Sequence, residues 1–165
     1  VANWKIDSLT LPDSQARIAL CPCPGQSAPL TSDLQRLCDW GARGLVTLIE
    51  DHEFELLGIT SLSKEVDALG MRWWHLPIRD METPDADFEI RWQQAGQELR
   101  SLLGEGLSIA LHCRGGLGRT GTIAARLLVE LGSAPATAIE RVRAVRPGSI
   151  ETRAQESFVH ACKLA

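Results

Sequence analysis

The 165-residue chain has no tyrosine, only two methionines, and no apolar run near the ~20 residues of a membrane-spanning helix. No membrane insertion is therefore expected. Its opening residues lack the charged and apolar regions of a signal peptide. That points to a cytoplasmic protein, although a start at Val1 rather than Met leaves a removed leader open. Internal repeats and low-complexity segments are missing as well. The five cysteines are odd in number and unevenly spaced, which argues against a disulfide framework and for a reducing compartment. Cys21-Pro22-Cys23 is too tight for a zinc pair and has no second Cys/His pair at finger spacing, so no metal is expected. A net charge of -4 gives no electrostatic case for nucleic acid or an anionic membrane surface.

What is present is ordinary for a globular chain: 44% hydrophobic and 23% charged residues, enough for one domain over residues 1–165. Two short strands, Trp4 to Thr10 and Arg17 to Leu20, flank the turn at Pro12-Asp13. A proline-rich loop over 21–29 precedes a helix that opens at Thr31 with a Ser32/Gln35 capping box and stops at Gly41 or Gly44. Leu45 to Ile49 is a continuous apolar run, the mark of a strand covered on both faces. A charged loop or helical turn (51–57), a helix (61–69) and a strand (71–78) follow. A helix starting at Thr83-Pro84 then carries the stripe Phe88, Trp92, Ala95, Leu99, Leu102 and Leu103. Helices over 135–145 and 152–164 close the chain. Strand and helix alternate, so the spacing predicts an α/β fold with a central, mostly parallel sheet flanked by helices on both faces. Trp73 and Trp74 are either a partner surface or, more ordinarily, alternately buried strand residues.

The informative stretch lies between a buried strand, Leu107 to Leu111, and a buried helix, Ile123 to Leu131. It reads His112-Cys113-Arg114-Gly115-Gly116-Leu117-Gly118-Arg119-Thr120-Gly121. Three glycines let successive backbone N–H groups converge on one concavity at the positive end of the helix. Such a site binds an anion and stabilises negative charge on the cysteine sulfur. Arg119 can hold two phosphate oxygens at once with its planar fork. The plainer alternative is a glycine turn around an inert cysteine, and it does not account for Cys, Arg and three Gly together. A Walker-type nucleotide loop fails because Arg119 stands where its Lys would be.

His-Cys, five residues, then Arg-Thr resembles the active-site loop of the cysteine-dependent protein phosphatases. Displacing an alkoxide or phenoxide from phosphate also needs a proton donor. The loop Pro77-Ile78-Arg79-Asp80-Met81-Glu82-Thr83-Pro84-Asp85 offers carboxylic acids for it. Pro-Ile-x-Asp, Thr-Pro-Asp and the cysteine loop together resemble the cyclin-dependent-kinase-associated branch of the dual-specificity phosphatases, over about residues 10–165.

The resemblance implies a protein-tyrosine-phosphatase-like fold and metal-independent hydrolysis through a phosphocysteine, with no cofactor. It implies Cys113 as nucleophile, and Arg119 with Arg114, Gly115, Gly116, Leu117 and Gly118 as the phosphate cradle. It implies Asp80 as the general acid, with Asp85 its rival, although an acid there also suits a helix start. Thr120 would hydrogen-bond the sulfur and ease its departure. His112 would orient the loop, or be a buried structural histidine. Gln155 resembles a family glutamine near the site but also completes a Thr152/Gln155 capping box, the reading preferred here. Only Arg114 adds to Arg119 in the loop, which favours a phosphoprotein (phosphotyrosine, phosphothreonine or phosphoserine) over an inositol phosphate. The branch implies a kinase as partner, and a monomer is expected. Alternatives are a phosphate-reading module without turnover and a rhodanese-like sulfur carrier, against which Asp80 and Arg119-Thr120 speak. Cys21, Cys23 and Cys38 are candidates for a disulfide that protects an oxidised Cys113.

Overall fold

Three apolar strands make the centre of the molecule, and everything else is hung on them. The computed structural model describes residues 4–165. Within them β1 (Asp7–Thr10), β2 (Arg17–Cys21), α1 (Leu30–Trp40), β3 (Ala42–Thr47), α2 (Asp51–Leu56), α3 (Leu62–Ala68) and β4 (Arg72–His75) come first. They are followed by α4 (Ala86–Gly104), β5 (Ser108–His112), α5 (Gly118–Glu130), α6 (Pro135–Val145) and α7 (Arg153–Ala161). The strands form one sheet in the order β1-β2-β5-β3-β4, with only β1 antiparallel. The α/β architecture is thus the expected one. None of the described helices is long and apolar enough to cross a membrane.

The order fixes which face each helix covers. β2 to β3 and β3 to β4 step one way along the sheet, and β4 to β5 steps back. With right-handed crossovers, α1 and α3 then cover one face and α4 the other. Helix α4 is tied to α5 through Trp92 to Glu130 (2.9 Å), Arg100 to Glu130 (2.8 Å) and Arg126 to Glu89 (2.7 Å). Helix α5 is buried on nearly every side, which its Gly, Ala and Thr content permits. The core between the layers includes Ile18, Leu20, Leu45, Val46, Ile109 and Leu111, all fully buried.

Several local expectations change. Helix α1 starts earlier, at Leu30, capped by Pro29 without a side-chain bond, and no Ser32/Gln35 box forms. Asp33 instead accepts from Gly25 N (2.9 Å), and Gln35 turns to Asp39. The strand expected over 71–78 is paired only to His75, although Leu76 N and Ile78 N still donate to Thr47 and Leu48 carbonyls. Pro77 breaks the ladder there. Helix α4 begins at Ala86 and not at Pro84, because Asp85 takes the N-cap and accepts from Phe88 N at 2.8 Å. Glu50 and Glu53 turn the segment after β3 into α2 by a capping box, and α7 ends at Ala161. Trp74 is buried, whereas Trp73 is half-buried and stacked on His75.

Candidate active site

Register sets the site. Cys21, His112, Thr47 and His75 lie side by side across four parallel strands at their carboxyl ends. Ligands bind beyond that edge in open α/β sheets. Cys113 is the residue after β5, and the loop from it runs directly into α5 at Gly118.

The loop's carbonyl groups explain its shape. His112 O accepts from Leu48 N (3.0 Å), Cys113 O from the His112 ring (3.0 Å) and Arg114 O from Cys23 N (3.0 Å). Gly115 O and Gly116 O both accept from Arg146 (2.9 and 2.7 Å), Leu117 O from Ile150 N (3.1 Å), and Gly118 O from Thr122 (2.7 Å). In a planar trans peptide the next N–H points opposite its carbonyl. With the carbonyls drawn off into the scaffold, the N–H groups of Arg114 through Arg119 are turned toward the cysteine. Gly116 N already donates to Cys113 Sγ at 3.2 Å. Gly116 sits at φ 72, and a Cβ there would collide with the Cys21 carbonyl, so only glycine fits.

Arg119 is 1% exposed yet charged, which demands partners. Its Nη1 donates to Glu53 (2.7 Å) and to Ile78 O (3.1 Å), and its Nη2 to Glu53 (3.1 Å). Asp80 Oδ1 lies 3.3 Å from the same Nη2. Burial opposes its charge, but the Glu53 bonds and the Cys113 and Asp80 charges outweigh this and keep it protonated. Burial pushes Glu53 up, while the bonds from Arg119 and Glu50 N pull it further down, so it is held below the usual carboxylate range. Arg119 Nε has no partner. It is the guanidinium edge left for an anion.

His112 is fully buried, and burial lowers its pKa to about 4. It is therefore neutral near pH 7. Nδ1 faces a carbonyl, so it carries the hydrogen; Nε2 then accepts from Thr47 Oγ1 (2.8 Å), which in turn accepts from Trp73 Nε1 (2.8 Å). The buried Thr120 hydroxyl has no hydrogen-bond partner, and the sulfur accepts from Gly116 N.

Across the cleft, Asp80 is exposed and Asp85 is committed to the α4 cap. Gln155 does two things. Its Oε1 accepts from Glu151 N (2.9 Å) and Thr152 N (3.1 Å), completing the capping box, and its Nε2 donates to Glu82 O (3.2 Å) on the Asp80 loop. Arg114 and Gly115 are exposed at the mouth. The protective-disulfide candidates separate: Cys21 and Cys23 are buried against the loop, while Cys38 sits near the end of α1, and all are free thiols. Among the described residues no group of three His, Cys, Asp or Glu is placed to hold a metal ion.

Sequence reasoning missed Glu53, Thr47 and Arg146. Glu53 left one signal, its place three residues after Glu50 at the start of a helical turn, which reads as a cap and not as a partner of Arg119. Arg146 left none, because its partners are backbone carbonyls from 30 residues away.

A sulfur beneath inward-facing N–H groups, on this sheet, defines a phosphatase of the cysteine-dependent protein-tyrosine and dual-specificity superfamily. Residues 24–159 match the family described as Swiss Army Knife protein, DSP-PTPase phosphatase domain, and the chain belongs to that family. It is 29% identical over 153 residues to cyclin-dependent kinase inhibitor 3 of Rattus norvegicus, covering 87% of this chain and 70% of that protein. The Homo sapiens protein of the same name is 28% identical over 151 residues, with the same coverage. Among solved structures, kinase associated phosphatase with its catalytic-site cysteine substituted by serine superimposes with a TM-score of 0.85 at 26% identity, over 96% of this chain and 93% of that one. Tk-PTP in its active form gives 0.71 at 25% identity, over 91% and 95%.

Proposed function

We propose that the chain hydrolyses phosphomonoesters on phosphoproteins in two steps, without a metal. The Cys113 thiolate attacks phosphorus in line with the ester oxygen. The equatorial oxygens rest on the N–H groups of Arg114 to Arg119 and on the free Nε edge of Arg119. Asp80, on the facing loop, gives its proton to the leaving oxygen. A phosphocysteine results, and water deprotonated by the ionised Asp80 displaces the sulfur and releases phosphate. Thr120, whose hydroxyl is buried and uncommitted, is free to donate to the departing sulfur. His112, held neutral, fixes the Cys113 carbonyl. The observation that carries this reading is the unpaired Nε of a fully buried, charged Arg119 beside Asp80.

A phosphoprotein is favoured because Arg114 is the only cation added to Arg119 in the loop. The relative crystallised as kinase associated phosphatase makes a phosphorylated kinase the first substrate to try. A free catalytic thiol suits the reducing cytoplasm.

Hydrolysis of a small aryl phosphate in EDTA tests the scheme. Wild type should turn over, Cys113→Ser should be inert, and Asp80→Ala should lose about 10²–10⁴ in kcat. Turnover by Cys113→Ser at the wild-type rate would overturn it. A wild type that binds tungstate but hydrolyses neither the aryl phosphate nor phosphopeptides would make it a phosphate-reading module.

A further inference from the structure

We infer that Arg146, outside the active-site loop, is the residue that holds the Gly115–Gly116 part of that loop in its anion-binding shape. This rests on the loop being the phosphate site proposed above. Arg146 is the residue after α6, at φ -139 and ψ 87, followed by Pro147. Its own carbonyl is fixed by Ser149, which donates from both Oγ (2.7 Å) and N (3.2 Å). The side chain is then driven under the loop, where the residue is 8% exposed.

All three edges of the guanidinium are used. Nε donates to Gly116 O at 2.7 Å, Nη2 to Gly115 O at 2.9 Å, and Nη1 to Asp7 Oδ2 at 2.8 Å. The first two bonds orient two adjacent peptide units, 115–116 and 116–117. Those units supply the N–H groups of Gly116 and Leu117 to the concavity. Gly115 and Gly116 are the flexible part of the loop, and no other hydrogen bond holds their carbonyls among the described residues. Without Arg146 the two peptides can flip, pointing carbonyl dipoles at the phosphate. A lysine cannot substitute, since one ammonium lacks the planar fork that meets two carbonyls and a carboxylate together. Asp7 completes the device, so β1 at the sheet's edge reaches the active site through Arg146. Arg146 is a positioning residue, since it touches neither the sulfur nor the anion.

The test reads oxyanion affinity apart from turnover. Tungstate binding, kcat and KM are measured for wild type, Arg146→Ala, Arg146→Lys and Asp7→Asn, at a temperature well below each melting point. Arg146→Ala should weaken tungstate binding about tenfold or more and lower kcat/KM by at least as much, as loss of oxyanion donors does. Arg146→Lys should not restore it, added guanidinium should in part, and Asp7→Asn should lose less in the same direction. Tungstate affinity within twofold of wild type in folded Arg146→Ala overturns the proposal. If that variant does not fold, unchanged affinity in both Arg146→Lys and Asp7→Asn overturns it equally. A protein that binds tungstate only with Arg146 intact but hydrolyses nothing would support Arg146 and overturn the hydrolytic reading. Hydrolysis with Arg146-independent tungstate binding would do the reverse.

Discussion

Arg119 points where it does because of one carboxylate. Glu53 is 3% exposed and grips both terminal nitrogens of Arg119, leaving Nε as the open edge. The pair is desolvated, so removing one charge strands the other, at a cost of about 3–5 kcal/mol. Glu53→Ala should therefore lower stability by that order, as a denaturant midpoint shift. Glu53→Gln keeps the shape and half the grip; its kcat/KM should fall about 10- to 100-fold with a smaller stability loss, read from initial rates and melting curves on the same samples. The cysteines near the site show burial acting the other way. Burial pushes the Cys23 thiol up to about 12 and Cys21 higher still. A resolving thiol attacks as thiolate. Both are thus slow partners for an oxidised Cys113.

At the level of elements, the Asp80 loop is held between the ends of helices. Asp85 caps α4 by accepting from Phe88 N, and Gln155 caps α7 while donating to Glu82 O. The Phe88 bond commits Asp85 to the cap, whereas Asp80 faces Arg119. Asp85→Ala should cost about 1 kcal/mol of stability, as lost N-caps do, and leave kcat within a few-fold of wild type. Asp80→Ala should show the opposite pattern. A large kcat loss in Asp85→Ala without a melting shift would reassign the proton donor. Gln155 completes the α7 capping box and also donates to the acid loop, because the α7 N-terminus lies against that loop.

For the whole molecule, pH acts on the middle of the sheet. His112 is buried neutral between Thr47 and the Cys113 carbonyl, with its pKa lowered from 6.5 to about 4 by burial. The unfolded chain therefore binds more protons between those values, and stability falls as pH drops through that window. The stability is fully present above 6.5 and is lost by about 4; at ~1.4 kcal/mol per pH unit the total is of order 3 kcal/mol. Urea unfolding at pH 7.5, 6.0 and 4.5 should show this slope, and it should flatten in His112→Gln. An equal slope in that variant would place the loss in other groups.

The sequence by itself determined the alternating α/β fold, the strand-loop-helix around Cys113, and the loop bearing Asp80. Each of these is written in contiguous residues: apolar runs, glycines that release the backbone, and an acid beside prolines. Cys113, Arg119 and the stripe from Phe88 to Leu103 were legible for that reason. Tertiary structure alone decided which way the loop faces. Glu53 on α2, Arg146 after α6, Thr47 on β3 and Cys23 after β2 meet the loop from four separate segments. Most of those contacts use backbone carbonyls or a buried charge, whose partners carry no local pattern. It also decided that Asp85 is spent on a cap and that the Thr120 hydroxyl is left without a hydrogen-bond partner. A hydrogen bond is directional and short-ranged, so it exists only once packing has brought its two ends together.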